Sequence, residues 1–197
     1  TDLSWTELIK TANLKRVNLS SHSFYATPNI HFDRTKEKGK PFAYHVYGTA
    51  IVEATVDCLR GIYKFNSVKV VHDFGKSFNQ LIDRGQAEGA IVQGLGWMTI
   101  EEIMHNELGQ ILTDTLSTYK VPDIHFTPDI EIDFLEDAEN PFGIFKSKAI
   151  GEPPFMYGIG GYFAIMNAMK AFNPKLKCIF NSPLTPEKVL MNLYRKS

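Results

Sequence analysis

Apolar and polar positions change period several times along this chain, and each change predicts an element. Leu3 to Thr11 repeats at helical spacing behind Ser4, with Glu7 placed to complete a capping box, which predicts a short amphipathic helix. Residues 18–40 are polar and broken by Pro28 and by the charged run from Asp33 to Lys40, and read as an irregular arm with a solvated loop tip. From Phe42 the period becomes two. Phe42, Tyr44, Val46, Gly48, Ala50, Val52, Ala54 and Val56 share one side, while His45, Thr49, Glu53, Thr55 and Asp57 share the other, as in a long half-buried strand. Leu59-Arg60-Gly61 turns the chain, and Ile62 to His72 reads as a second strand that closes an antiparallel hairpin.

Helical spacing returns from Gln86 to His105, with Ala87, Ala90, Ile91, Gly94 and Met98 on one face. Gly89, Gly94 and Gly96 are unusual there, because each glycine costs about 0.5–1 kcal/mol relative to alanine in a helix. Close approach of another backbone or of a cofactor offsets such a cost, and so does a tightly packed helix pair. Residues 106–126 read as loop, with a short strand at Gln110 to Thr113. Pro128 to Phe134 alternates Ile130, Ile132 and Phe134 with acids and reads as a strand; Pro141 to Ile150 offers another. Gly158 to Phe172 is helical, with Tyr162, Ile165, Met166, Met169 and Phe172 inward, and it stops at Asn173-Pro174. A last helix starts at Thr185-Pro186-Glu187, an N-cap followed by proline at the first helical position. A hairpin among mixed strands and helices, without a regular strand–helix–strand repeat, places the chain in the α+β class, with mixed or antiparallel sheet layers and packed helices.

Composition narrows the function. The chain has 197 residues, 44% of them hydrophobic, enough for a sizeable core. A net charge of −1 gives no global bias toward nucleic acid or an anionic membrane. No apolar run approaches the roughly 18 residues that a membrane span needs. The first residues do not read as a secretory leader. The two cysteines, Cys58 and Cys178, lie far apart without a CxxC, which excludes an iron–sulfur cluster or a cysteine-rich zinc site within the chain. They fit a reducing, cytoplasmic setting, while leaving a pairing between them open.

Candidate chemistry concentrates in Lys148-Ala149-Ile150-Gly151-Glu152-Pro153-Pro154-Phe155. Glu152 stands between a glycine and two prolines. Proline biases the residue before it toward an extended backbone. A carboxylate on a stiff turn beside apolar residues suits a general base, with burial raising its pKa; it equally suits a cap on the following helix. Gln86 and Gln93 share a helical face and either donate hydrogen bonds into a glycine-lined site or face solvent. Gly158-Ile159-Gly160-Gly161 reads as a packing junction rather than a phosphate loop, because no GxGxxG is present. Glu102 and His105 form a lone ExxH pair at the helix end, without the partners that a di-iron site requires.

Several stretches taken together resemble one family: Ser23 to Ile30; the hairpin from Phe42 to Gly61; Ile82-Asp83; Gln86 to Gly96; Ser117 to Pro122; Ser147 to Pro154; and Ser182 to Lys188. In this order and at these spacings the chain resembles the C-terminal part of the molybdopterin-binding chain of the xanthine dehydrogenase family of molybdenum hydroxylases. The resemblance implies a partial molybdenum-cofactor-binding domain over residues 1–197, with residues 1–40 as an irregular arm. It implies hydroxylation of a purine with water as the oxygen source: Glu152 takes the proton of a Mo–OH group whose oxygen attacks the substrate carbon, while hydride passes to a Mo=S sulfur. Gln86, Lys148, Ala149, Ile150 and Gly151 would line the cofactor, and no residue of this chain would ligate the metal.

The family's iron–sulfur clusters and FAD are expected on other domains or subunits, together with the remaining part of the molybdopterin-binding chain. Alone, this part is expected to be inactive and to self-associate. An aldehyde-oxidase-type hydroxylase and a non-catalytic cofactor-handling module of the same fold are the alternatives. Two departures stand out. Gln80 follows Asn79 where the family usually has proline, and Arg84 adds a charge near the expected site where an apolar residue is usual.

Overall fold

In a computed structural model of the protein, residues 2–177 and 180–194 are described, so Cys178 lies outside the described residues. The chain divides into two compact units, residues 1–43 and residues 44–197.

The first unit holds helix α1 (Trp5–Leu14) and a small hairpin of β1 (His31–Asp33) and β2 (Lys38–Lys40). The Ser4 hydroxyl accepts from the Glu7 N–H, and the Glu7 carboxylate accepts from the Ser4 N–H at 2.9 Å, completing the capping box read from the sequence. The hairpin corrects the reading of 18–40 as wholly irregular. The charged run supplies its turn, where Asp33 Oδ1 accepts from the Thr35 N–H at 2.9 Å and holds the bend.

The second unit is built on a three-stranded sheet in the order β3 (Gly48–Asp57), β4 (Ile62–His72), β5 (Asp129–Phe134). β3 and β4 form the expected antiparallel hairpin, with Gly61 at φ +72° in its turn. β5 joins β4 in parallel. The first strand starts at Gly48 and not at Phe42. A bulge at Asn66 shifts the register between Glu53/Ala54, so two residues of β4 face one of β3. The buried side of β4 therefore switches parity, from Phe65 to Val68, Val70 and His72.

Helices α2 (Gln80–Thr99) and α3 (Gly158–Phe172) cover the sheet, and their buried residues Ala87, Ile91, Leu95, Tyr162, Ile165, Met166 and Met169 meet Phe65, Val68, Val70 and Ile132 in one core. Helix α4 (Pro186–Tyr194) adds Val189 and Leu193 to it. α2 begins at Gln80 rather than Gln86. Asn79 Oδ1 caps it by accepting from the Leu81 and Ile82 N–H groups at 3.1 and 3.3 Å. The pattern hid this first turn because it points Asp83 inward, onto the Ser77 hydroxyl, and Leu81 and Ile82 outward.

α2 also ends at Thr99, which leaves Glu102 and His105 beyond the helix; His105 bridges Ile111, and the short strand at Gln110 to Thr113 reduces to that bridge. In place of a strand, Pro141 to Ile150 holds a 3₁₀ turn at Ile144–Lys146 and a bridge from Gly75 to Ser147. Phe172 is exposed, since the core ends at Met169.

Candidate functional site

Glycines decide how α2 meets its neighbours. A Cβ on Gly94 would overlap the Phe155 carbonyl and stand 3.3 Å from the Gly158 Cα; a Cβ on Gly158 would stand 2.6 Å from the Gly94 Cα. The two helices thus touch backbone to backbone. Gly158 to Gly161 is the packing junction that the sequence predicts: a Cβ on Gly160 would press Val52, and one on Gly161 would press Leu95 and Phe65. Gly85 and Gly89 behave differently. A Cβ at either meets nothing within 4 Å, because these glycines border an open cavity of about 560 Å³.

That cavity is lined by Gly85, Gln86, Gly89, Ala90 and Gln93 from α2, and by Gly151, Glu152 and Phe155 from the segment before α3. Two stretches far apart in sequence form it. They come close at Gly151, where an added Cβ would stand 3.2 Å from Gln86 Oε1. Phe155 walls one end and leans on Trp97, with ring centroids 5.2 Å apart.

Glu152 departs from the sequence reading in two respects. Its backbone is helical, at φ −76° and ψ −41°, because its carbonyl accepts from the Phe155 N–H at 3.1 Å and closes the 3₁₀ turn Pro153–Tyr157; this contact overrides the local bias before proline. Its carboxylate is exposed in the cavity, so the burial expected of it is not provided by this chain's own side chains. The carboxylate makes no cap hydrogen bond to the turn, so the capping role that the sequence also allowed is not taken.

Of the residues singled out in the sequence, Gln86, Gln93, Gly151 and Glu152 come together at the cavity. Lys148, Ala149 and Ile150 support it without lining it. Lys148 pairs with Asp73, the Ala149 N–H donates to the Tyr44 hydroxyl at 3.0 Å, and Ile150 packs against the core. Arg84 points away, donating to the Ile132 carbonyl at 2.6 Å and lying over the Phe134 ring, so its charge is spent on β5. Gln80 occupies the first position of α2, where proline is equally at home. Gly85 was missed, and Ala90 and Phe155 were named without a site role; the four-residue spacing of Gly85 and Gly89, on the face that carries Gln86 and Gln93, was the available signal.

The arrangement can hold a large flat group. Its floor is bare helix backbone that side chains would fill, its rim offers two amide side chains as donors and acceptors, and one uncapped carboxylate faces the opening. Its lining offers hydrogen bonds rather than a set of metal ligands, so a metal in it would arrive bound to a cofactor.

Comparisons with known proteins agree on one group. The family described as "Molybdopterin cofactor-binding domain" matches residues 1–128. Xanthine dehydrogenase/oxidase of Felis catus is 42% identical over 194 residues, which is 94% of this chain and 15% of that protein. The chain therefore spans about 15% of the length of such curated relatives. Among solved structures, aldehyde oxidoreductase from Desulfovibrio gigas aligns with a TM-score of 0.66 at 31% identity, covering 83% of this chain and 17% of that one. Quinoline 2-oxidoreductase from Pseudomonas putida 86 aligns with a TM-score of 0.65 at 27% identity, covering 72% and 18%.

Proposed function

This chain belongs to the molybdopterin cofactor-binding family of the xanthine dehydrogenases and related molybdenum hydroxylases, and on that premise we propose that it forms one wall of the cofactor cleft of a larger hydroxylating oxidoreductase, with Glu152 as general base. One observation carries the reading: Gln86 and Glu152 line the same glycine-floored cavity, with Gly151 against the Gln86 amide oxygen.

In this reading Gln86 and the backbone at Gly151 hydrogen-bond the cofactor, and Gly85 and Gly89 give its rings room. Lys148, Ala149 and Ile150 fix the segment on which Gly151 stands. When bound, the molybdenum cofactor supplies the two-electron oxidation of the substrate carbon. Glu152 Oε accepts the proton that leaves water as its oxygen is delivered to that carbon. Phe155 gives a flat substrate an apolar wall beside the carboxylate. The remaining part of the molybdopterin-binding chain closes the cleft and keeps bulk solvent from Glu152, so the present part alone does not turn over. Electrons leave through iron–sulfur and FAD groups on other domains or subunits.

The substrate proposed first is a purine, oxidised to urate, in line with the xanthine dehydrogenases that share up to 42% of its residues. The likeness to an aldehyde oxidoreductase keeps an aldehyde as the second reading. Purification of the complete gene product, with molybdenum measured by elemental analysis and hydroxylation assayed on the same sample, tests both. About one molybdenum per chain with urate formed from xanthine is expected. Metal with activity on aldehydes alone selects the second reading, and competent material without metal rejects the enzyme reading.

A substitution at the cavity floor separates fold from function. Gly89→Ala meets no atom, so the gain in helix propensity of about 0.5–1 kcal/mol stabilises this part of the complete protein, and its thermal midpoint does not fall. The same methyl group stands where the cofactor rings lie in this reading, so molybdenum content falls. Full metal loading in Gly89→Ala would place the cofactor elsewhere.

A further inference from the structure

Two consecutive residues at the end of β4 hold the Glu152 segment from both sides. The bulge at Asn66 turns His72 into the core, where it is 1% exposed. Its Nδ1 shares a hydrogen bond of 2.6 Å with the Tyr157 hydroxyl, its ring meets Phe74 edge-on at 4.4 Å, and its Nε2 has no hydrogen-bond partner. Burial pushes the His72 pKa below the ordinary histidine value, against the attraction of Asp73, so the ring is neutral at pH 7. Tyr157 ends the 3₁₀ turn that starts directly after Glu152. Its hydroxyl fits a notch left open by Gly48, which pairs with His72 across the hairpin; a Cβ on Gly48 would overlap that oxygen and stand 2.9 Å from the ring carbon that bears it.

Asp73, also 1% exposed, faces the other end of the segment. Its Oδ2 lies 2.5 Å from Lys148 Nζ, and its Oδ1 accepts from the Gly75 N–H at 3.0 Å. The Lys148 N–H donates to the Phe74 carbonyl at 3.2 Å, and the Lys76 N–H donates to the Lys146 carbonyl at 3.0 Å, so the backbone on this side is laced to the chain leaving β4. Residues 148–157 therefore form a strap fixed at both ends, with Glu152 between the fixings and its carboxylate free of any cap.

We propose that His72 and Asp73 are positioning residues for Glu152, acting through Tyr157 and Lys148 and set by the notch at Gly48. The proposal rests on the reading of Glu152 as the base. Fixing both ends of a short turn limits the angles at which its one free carboxylate can point, and aim governs proton transfer. Lys148 then serves the site by its ion pair rather than by touching the cofactor.

Breaking the Asp73–Lys148 pair would leave a buried charge and risk the fold, so the test uses smaller changes. In the complete, metal-loaded enzyme, Tyr157→Phe removes one hydroxyl. It is expected to lower kcat per molybdenum about 10- to 100-fold, with KM within about twofold of the parent. Amide hydrogen exchange over residues 155–157 is expected to quicken. Gly48→Ala, on a different strand, has the same two effects. The double variant recovers part of the Gly48→Ala loss, since phenylalanine withdraws the overlapping oxygen while the ring carbon and the Val71 carbonyl still press the methyl group at 2.9 Å. Unchanged kcat per molybdenum in both single variants, beside a Glu152→Gln enzyme that has lost turnover, overturns the proposal, and so does unchanged exchange at 155–157. Full turnover by Glu152→Gln rejects the base reading instead, and the exchange measurement then decides the clamp by itself.

Discussion

Glu152→Gln in the complete enzyme is expected to lower kcat about 10²- to 10⁴-fold, the range that a positioned general base contributes. The substitution keeps size and one accepting oxygen but replaces the other by an NH2 group that donates hydrogen bonds and cannot take the proton. Glu152 makes no side-chain hydrogen bond to the turn that follows it and is exposed in the cavity, so its replacement leaves the fold intact. Molybdenum content and the thermal midpoint should accordingly match the parent. Metal-normalised turnover at saturating substrate, with elemental analysis of the same preparation, checks the outcome. Loss of metal in parallel with activity would make Glu152 a cofactor-holding residue. Undiminished turnover would remove it from the chemistry and leave the cavity as a cofactor site without an assigned base.

The largest structural effect is expected at the crossing of α2 and α3. Gly158→Ala puts a methyl group onto the carbonyl, carbonyl carbon and Cα of Gly94, all backbone atoms that no rotamer change can withdraw. Overpacking of this kind costs about 1–3 kcal/mol and occasionally more, and the gain of up to ~1 kcal/mol in helix propensity offsets only part of it. A net loss of roughly 1–2 kcal/mol lowers the midpoint by about 2–8 °C for a domain of this size. Gly94→Ala presses the Phe155 carbonyl, part of the turn that carries Glu152, and is therefore expected to lower kcat as well as stability. The contrast with Gly89→Ala, a glycine-to-alanine change on the same helix with the opposite sign, makes the pair a test of the packing account. Equal midpoints for Gly89→Ala and Gly158→Ala would refute it.

The same contrast shows what was legible in the chain. Gly89, Gly94 and Gly96 in a helical pattern announced a close approach of another backbone or a cofactor, with a tightly packed helix pair as the alternative. The fold shows close packing at two of these glycines and an open cavity at the third. Gly94 meets the Phe155 carbonyl and Gly158, and Gly96 meets Pro122, whereas Gly89 faces the cavity. Glu152, Gly151, Gln86 and Gln93 were named from the sequence, and they meet at one cavity. Lys148, Ala149 and Ile150 were named as cofactor-lining through the resemblance, and they stand behind it. The clamp of His72 on Tyr157 had no sequence signal, because the inward turn of His72 depends on a one-residue bulge between two strands.

By itself the sequence determined the features whose causes lie within a turn or two of chain. The Ser4–Glu7 capping box, the hairpin at Gly61, the stretch of α3 and the proline-led start of α4 are of this kind. Caps, periods and turn residues act over short range and need no partner. Tertiary structure alone decided the early start of α2, where an inward aspartate needs Ser77, and the parallel pairing of β5 with β4. It also set the helical backbone of Glu152 and the meeting of Gln86 with Gly151. Each of these weighs a local preference against a contact made by residues elsewhere in the chain, and the contact prevails once packing brings them together.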